Sequence, residues 1–533
     1  MICSSSVYFT LFAGAFALVG GSPTPYASKC SSSSIPHPVV SGAAVLALSA
    51  APFTNYLGIS GNDVCQVNIT ITHPGVNDTV YNQVLLPLSG WNGRFQGVGG
   101  GGFLAGVFSS LAPIAAQGYS CASTTAGLPT WGNAESDASA WALVSEGNVN
   151  QYLLIDFAYR SIHDMSVIGK AVTHSFYGAA PEYSYWNGCS TGGRQGLGEA
   201  QKYPEDYDVA FVVMNNEHYA PLQCEFAAID AATIDACDGL DGLVDGIISA
   251  PGLCKFDPHS LVGKSYTCNT DGSTRTFKNQ TATIVQKIWE GPRTPSGRFL
   301  WYGITKGTNF SSLANTTVFQ NGTVGAVAFE ISDSWYRDFL LKDLTYDTSS
   351  ITYAQFTTLF HAGHQEYDSV IGTADPDLSA FKARGGKMIT WQGLADNVIM
   401  PAGTQLYYKK VASLDPQVHD FYRQFFSPGI GHCGGGTGVV PTDAIGQLRA
   451  WVENGTAPAT LHAASEYPVN ASSAYAVNGT NVRTQNLCPF PQVTKYNGKG
   501  DPSLASSYEC AAADGWYDFG GPNGNITACA GWY

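Results

Sequence analysis

The stretch Tyr183-Ser184-Tyr185-Trp186-Asn187-Gly188-Cys189-Ser190-Thr191-Gly192-Gly193-Arg194-Gln195-Gly196-Leu197-Gly198-Glu199-Ala200 decides the fold of this chain. Its aromatic-rich start has the composition of a β-strand, and the segment from Gly192 reads as a helix that ends near Pro204. Between them Gly188-Cys189-Ser190-Thr191-Gly192 fits G-x-S-x-G. With 60 glycines in 533 residues the pattern alone is weak, and an ordinary tight turn is the alternative. The strand–turn–helix setting gives it weight, because that turn lifts a serine oxygen above the end of a sheet. Glycines flank the serine because strand and helix approach closely there.

Serine is a poor nucleophile at neutral pH and needs a base and an orienting acid. On an elbow of this kind the acid and the histidine follow the serine in that order. Asp396 comes after the strand-like run GKMITWQG, and His432 after the strand-like FYRQFFS. His419 and His462 compete for the base, but His419 begins its strand, at the wrong edge. Asp375 and Asp377 fail as acids for the same reason. Acyl chemistry also needs two backbone N–H donors for an oxyanion. Thr191 supplies one. The other is expected from Phe95-Gln96-Gly97-Val98-Gly99-Gly100-Gly101-Gly102-Phe103, at Gly100 or Gly101. A phosphate-binding glycine loop is the alternative for that run, but no Lys-Ser/Thr follows it.

Composition bounds the rest. Hydrophobic residues make up 44% and charged residues 13%, with a net charge of −15. Such a chain can build a large core, and its field repels phosphate backbones and anionic lipid, which disfavours nucleic-acid and membrane-surface roles. The apolar run Val7 to Gly20 is too short to span a bilayer and resembles a secretory signal, so residues 1–21 are expected to be a leader. Cys3 would leave with it, and the other twelve cysteines are consistent with six disulfides in an oxidising compartment. Ten N-x-Ser/Thr sequons, at Asn68, Asn77, Asn279, Asn309, Asn315, Asn321, Asn454, Asn470, Asn478 and Asn525, fit a glycosylated secreted surface.

Strand-like runs QVNITIT, VYNQVLLPL and RFQGV alternate with helical segments in the first part of the chain. The alternation returns in the last part with GKMITWQG and the Pro401-initiated helix PAGTQLYYKKVASL. This predicts an α/β domain with a parallel sheet covered on both faces. Residues 22–216 and 371–533 are assigned to it. Residues 217–370, rich in Asp/Gly turns, cysteines and sequons, are assigned to an inserted lid.

Cys189 directly precedes Ser190, and Cys433 directly follows His432. This Cys-Ser … Asp … His-Cys arrangement resembles the tannase and feruloyl esterase family of α/β-hydrolases, over roughly Cys30 to Cys510. The resemblance implies a Cys189–Cys433 disulfide behind the triad, worth about 5 kcal/mol in the chain-entropy model. It implies Cys488–Cys510 and Cys237–Cys254 as well, and leaves Cys30, Cys65, Cys121, Cys224, Cys268 and Cys529 unassigned. In Cys237-Asp238-Gly239-Leu240-Asp241-Gly242-Leu243-Val244-Asp245-Gly246-Ile247 three carboxylates alternate with glycines, chemistry suited to a hard cation. Asp-Gly repeats are often only turns; the resemblance implies structural Ca²⁺ in the lid, held by Asp238, Asp241 and Asp245 with backbone oxygens of Leu243 and Ile247.

These features predict a secreted serine esterase acting on hydroxycinnamate esters of plant cell-wall polysaccharide, with no nucleic-acid partner and no membrane anchor. Thr191 after the nucleophile looks more like the feruloyl esterase branch. A tannase acting on galloyl esters and a non-enzymatic secreted glycoprotein are the alternatives. Oligomeric state is not legible.

Overall fold

The computed structural model describes residues 26–200, 219–465 and 482–520. The expected leader, Cys3, Cys529 and the sequons at Asn470, Asn478 and Asn525 lie outside them. Eight strands frame the body: β1 (Ala44–Phe53), β2 (Val64–Thr72), β3 (Val80–Pro87), β4 (Arg94–Val98), β5 (Ser120–Thr124), β6 (Tyr183–Asn187), β7 (Met388–Gly393) and β8 (Tyr422–Ser427). The first six form one sheet in the order β1-β2-β3-β5-β4-β6, and β7 pairs with β8. The longer helices include α1 (Ser161–Tyr177), α2 (Thr191–Ala200), α3 (Gln223–Cys237), α4 (Asn279–Glu290), α5 (Tyr353–Ile371), α6 (Pro401–Leu414) and α7 (Ala444–Asn454).

The fold is mixed α/β, and the parallel-sheet expectation needs correction. Pairs β4–β5, β4–β6 and β7–β8 are parallel, whereas β1–β2, β2–β3 and β3–β5 are antiparallel. Connection length decides the difference. Residues 73–79 between β2 and β3 are too few for a crossover and permit only an antiparallel return, while residues 99–119, with a short helix at Ala112–Ala115, are long enough to carry β4 over to the parallel β5. Both faces are covered as expected. Val67, Ile69, Val84 and Phe95 pack against Ile162, Met165, Ile168 and Val172 of α1. On the other face Val64, Leu85, Val98 and Cys121 meet Leu111 and Ile114, with Leu448 and Val452 of α7 alongside. The period-2 alternation of Val84 and Leu85 assigns neighbours to opposite layers.

Residues 219–371 enclose a second apolar core, in which Phe226 and Ile229 of α3 meet Ile284 of α4, Phe310, and Phe356 of α5. Thr352 and Gln355 form a reciprocal capping box that starts α5. Not all of this stretch faces that core. Ala250 and Leu253 pack with Trp516 and Tyr517 near the chain's end, and Arg483 bonds Asp245 at 2.6 Å, so the aspartate loop is shared with the body.

Among the described residues five disulfides are present: Cys189–Cys433, Cys237–Cys254 and Cys488–Cys510 as the resemblance implied, plus Cys30–Cys65 and Cys224–Cys268. The six-bond expectation fails at Cys121, a free thiol with no exposure on β5. Its side chain faces the apolar layer under α7 and donates to the Leu111 carbonyl at 3.4 Å, away from every other cysteine of the sheet.

A buried ion cluster staples the β2–β3 turn to α1. His73 Nδ1 meets Asp78 at 2.5 Å, Nε2 meets Asp164 at 3.0 Å, and Asp156 binds Arg160 at 2.6 Å. Burial opposes charge on His73, but the carboxylates at its two nitrogens outweigh it and raise its pKa. Burial pushes Asp156 up to about 6 from 3.8, against the pull of Arg160. Asp78, against its own burial, is held low by the bonds to His73. His73 and Asp156 thus bind protons more tightly folded than unfolded, so their contribution is full in acid and lost as pH rises through their folded values. Asp78 has the opposite sign and loses its contribution only on acidification. Thermal melts across the interval from 3.8 to about 6 should show a shallower fall in Tm with rising pH for Asp156→Asn than for the unaltered chain. Equal slopes would mean that Asp156 takes up no proton on folding.

Candidate active site

Ser190 sits where β6 turns into α2, with φ +57°, a left-handed conformation that non-glycine residues adopt at a cost. The chain holds it there by close approach. A Cβ on Gly188 would lie 2.4 Å from the carbonyl of Gly192, so only glycine closes this turn. Trp186 Nε1 donates to the same Gly192 carbonyl at 2.9 Å and ties strand to helix.

Asp396 lies beyond the carboxyl end of β7 and is 3% exposed. Its Oδ1 accepts from the amides of Val398 and Ile399, both at 2.9 Å, and its Oδ2 from Gln392 Nε2 at 2.6 Å. His432 follows β8 through the turn 428–431, and its Nδ1 faces both Asp396 oxygens at 3.1 and 3.2 Å. That contact leaves Nε2 for the cavity, which Ser190, Asp396 and His432 all line. Among the described residues there is no direct hydrogen bond between Ser190 and His432, a contact that commonly tightens only when substrate is bound. The Cys189–Cys433 bond supplies the link instead, with Cα atoms 5.8 Å apart across 244 residues. His419 stands at the opposite end of β8, as its position in the sequence suggested, and His462 lies on a separate strand, Leu461–Ala464.

The glycine loop folds over the first turn of α2. Gly192 N donates to Gly100 O at 2.9 Å and Thr191 Oγ1 to Gly102 O at 2.6 Å. Of the two expected donors, the Gly100 amide is already engaged, by Gln195 Oε1 at 3.2 Å. Among the described residues the amides of Gly101, Gly102 and Thr191 have no partner.

Aromatic side chains wall the cavity: Phe103 and Phe157 from the body, Trp301, Trp335, Tyr336 and Phe360 from residues 219–371. Phe157 and Trp335 both lie on π-helical turns, Asp156–Arg160 and Trp335–Leu340, a backbone irregularity that recurs at functional sites. Arg194 caps the carbonyls of Phe157 and Ala158 and stacks over the Phe157 ring at 4.9 Å. Sequence reasoning missed several lining or supporting residues. His361 and His364 of α5 also line the cavity, and His364 meets Asp368 at 3.0 Å. Gln392 and Gln195 carry no local motif. The single available signal was Gln195 lying one helical turn after Thr191, on the same face.

The aspartate loop fits a cation in its chemistry. Asp238, Asp241 and Asp245 are all buried, with Arg483 as a counterion at Asp245. Burial, with the neighbouring charges of Asp245 and Asp238, pushes Asp241 up to about 6. The carboxylates meanwhile cap the loop's own amides: Asp238 accepts from Asp245 and Gly246, and Asp241 from Leu243. Ligand-capable atoms within 4.8 Å of one another occur, among the described residues, at His73, Asp78 and Asp156 rather than in this loop. The latter cluster already has Arg160 as a cation and a carboxylate at each imidazole nitrogen.

Comparison with known proteins places the chain in a family. A family profile described as tannase and feruloyl esterase matches residues 65–215 and 209–511. A probable feruloyl esterase of Arthroderma benhamiae is 43% identical over 475 residues, spanning 84% of this chain and 86% of that protein. A tannase of Aspergillus oryzae is 28% identical over 558 residues, spanning 89% and 90%. The solved tannin acyl hydrolase of Aspergillus niger superposes with TM-score 0.81 at 25% identity, over 95% of this chain and 99% of that one. Fold and relatives together define a carboxylic ester hydrolase. The chain belongs to the tannase and feruloyl esterase family.

Because Cys189–Cys433 is the covalent link between the serine turn and the histidine loop, replacing both cysteines by alanine should cost about 2–5 kcal/mol of stability. Esterase activity should fall further than the loss of folded protein accounts for. Specific activity per folded molecule, from melts and assays on one sample, checks this; unchanged specific activity would refute a positioning role for the bond.

Proposed function

We propose that the chain is a secreted serine esterase on an α/β-hydrolase scaffold, cleaving hydroxycinnamate esters such as ferulate carried by plant cell-wall polysaccharide. The observation that carries this reading is the strained Ser190 elbow held by a disulfide beside the His432–Asp396 pair. Ser190 Oγ attacks the ester carbonyl while His432 takes its proton, and Asp396 orients the imidazole. Backbone amides of Thr191 and the glycine loop stabilise the oxyanion. The protonated His432 then delivers its proton to the leaving alcohol. Water, activated by the same imidazole, releases the aromatic acid and regenerates Ser190.

The aromatic wall fits a planar acyl group, and the 43% relative is described as a feruloyl esterase. The likeness to a solved tannin acyl hydrolase favours galloyl esters as a second reading. Support for secretion comes from the leader-like run Val7 to Gly20, five disulfides, and exposed sequon asparagines at Asn68, Asn77, Asn279, Asn309, Asn321 and Asn454. Among the described residues no helix is long and apolar enough to cross a membrane. Asp238, Asp241 and Asp245, with backbone oxygens of Leu243 and Ile247, would hold a structural Ca²⁺, which would neutralise the buried carboxylates and stiffen the loop.

Ser190→Ala should lower turnover of methyl ferulate by roughly 10⁴-fold or more without lowering Tm; full activity in that variant would refute the catalytic assignment. On the unaltered chain, a strong preference for methyl gallate over methyl ferulate would move the protein to the tannase branch. Dialysis against a chelator should lower Tm, with recovery on adding Ca²⁺. An unchanged melting curve would remove calcium from the loop.

A further inference from the structure

The glycine loop carries several amides, and the site needs one particular amide aimed at the oxyanion. What selects it is a side chain outside the triad. Gln195 lies on α2, one turn beyond Thr191, and is 1% exposed. Its Oε1 accepts from the Gly100 amide at 3.2 Å, and its Nε2 donates to the Ala105 carbonyl at 2.9 Å. The carboxamide therefore bridges both ends of the loop from the nucleophile's own helix. The fit is close: a Cβ on Gly99 would lie 2.4 Å from the Gln195 oxygen. Two further bonds, Gly192 N to Gly100 O and Thr191 Oγ1 to Gly102 O, fasten the same loop to the same helix turn.

We propose that Gln195 is a positioning residue for ester hydrolysis: by holding the Gly100 amide and the Ala105 carbonyl it fixes the glycine loop so that the next amide, that of Gly101, pairs with that of Thr191 to bind the oxyanion. The proposal rests on Ser190 being the nucleophile. The chemistry asks for glutamine specifically. One planar group must present an acceptor to an N–H and a donor to a C=O, in a place water does not reach, so a lost partner is not replaced. An ionised glutamate keeps the acceptor but sets a negative oxygen against the Ala105 carbonyl. A neutral glutamic acid restores the donor and with it the original pattern. Methionine fills the space and offers neither.

The test uses the full chain with methyl ferulate as substrate. An arylboronic acid, whose tetrahedral serine adduct mimics the oxyanion, reports transition-state binding, and free ferulate reports ground-state binding. Gln195→Met should lower kcat about 10- to 100-fold, less than or comparable to removing an oxyanion donor outright, with KM held within about twofold. Boronate affinity should fall in step with kcat while ferulate inhibition stays unchanged. Gln195→Glu should show the same deficit at neutral pH. Its activity relative to the unaltered chain should recover as pH is lowered, because dividing by the unaltered activity cancels the titration common to both. If Gln195→Met does not fold, that ratio decides alone. Unchanged kcat, boronate and ferulate affinities falling together, or a Gln195→Glu deficit independent of pH would each overturn the proposal. Failure of the underlying reading looks different, since Ser190→Ala would then remain active in the same assay.

Discussion

The bond between Cys189 and Cys433 is the constraint on which the site depends. It joins the residue before Ser190 to the residue after His432, across 244 positions of chain. Ser190 and Cys433 both occupy left-handed backbone, with φ of +57° and +60°. Neither conformation is favourable for a side chain with a Cβ, and each persists because the surroundings over-determine it. The two loops lie at the carboxyl ends of strands in separate sheets, β6 and β8, and the disulfide fixes their separation.

Charge is scarce in this protein, 13% of residues, and the described ion pairs are correspondingly structural. Arg94 makes a bidentate contact with Glu453 that Tyr185 also joins at 2.7 Å, fastening β4 and β6 to α7. The His73 cluster fastens the β2–β3 turn to α1. Arg337, bound to Asp137 and to Asp333, both at 2.9 Å, joins the Trp335–Leu340 turn to the body beside the aromatic wall. These pairs connect elements that apolar packing alone leaves free to slide, because their directional bonds penalise small shifts.

Local signals accounted for much of the architecture. The strands around VNITIT, QVLLP, RFQGV, MITWQ and YRQFFS, the Pro401 helix and the serine turn all stand where alternation, β-branched content and start signals put them. The antiparallel half of the sheet was missed, since strand direction follows from connection length and pairing, not from composition. Cysteine counting anticipated disulfides but overcounted them, because nothing local distinguishes a buried thiol such as Cys121 from a bridged one. Arg483 and Tyr517, remote in sequence, show that the aspartate loop is not enclosed by residues 217–370 alone.

The sequence by itself determined the candidates for the chemistry: a serine on a turn, an aspartate and a histidine after successive strands, and cysteines beside two of them. These are short-range patterns, and short-range sterics enforce them. Only the tertiary structure decided which of their neighbours complete the site. Gln195 and Gln392 act through hydrogen bonds to Gly100, Ala105 and Asp396, and Trp335 and Phe360 through the cavity they share with Ser190. That the Gly100 amide is engaged within the glycine loop is settled by a bond from another element. Hydrogen-bond satisfaction is a property of the packed chain, and no window of sequence contains both partners.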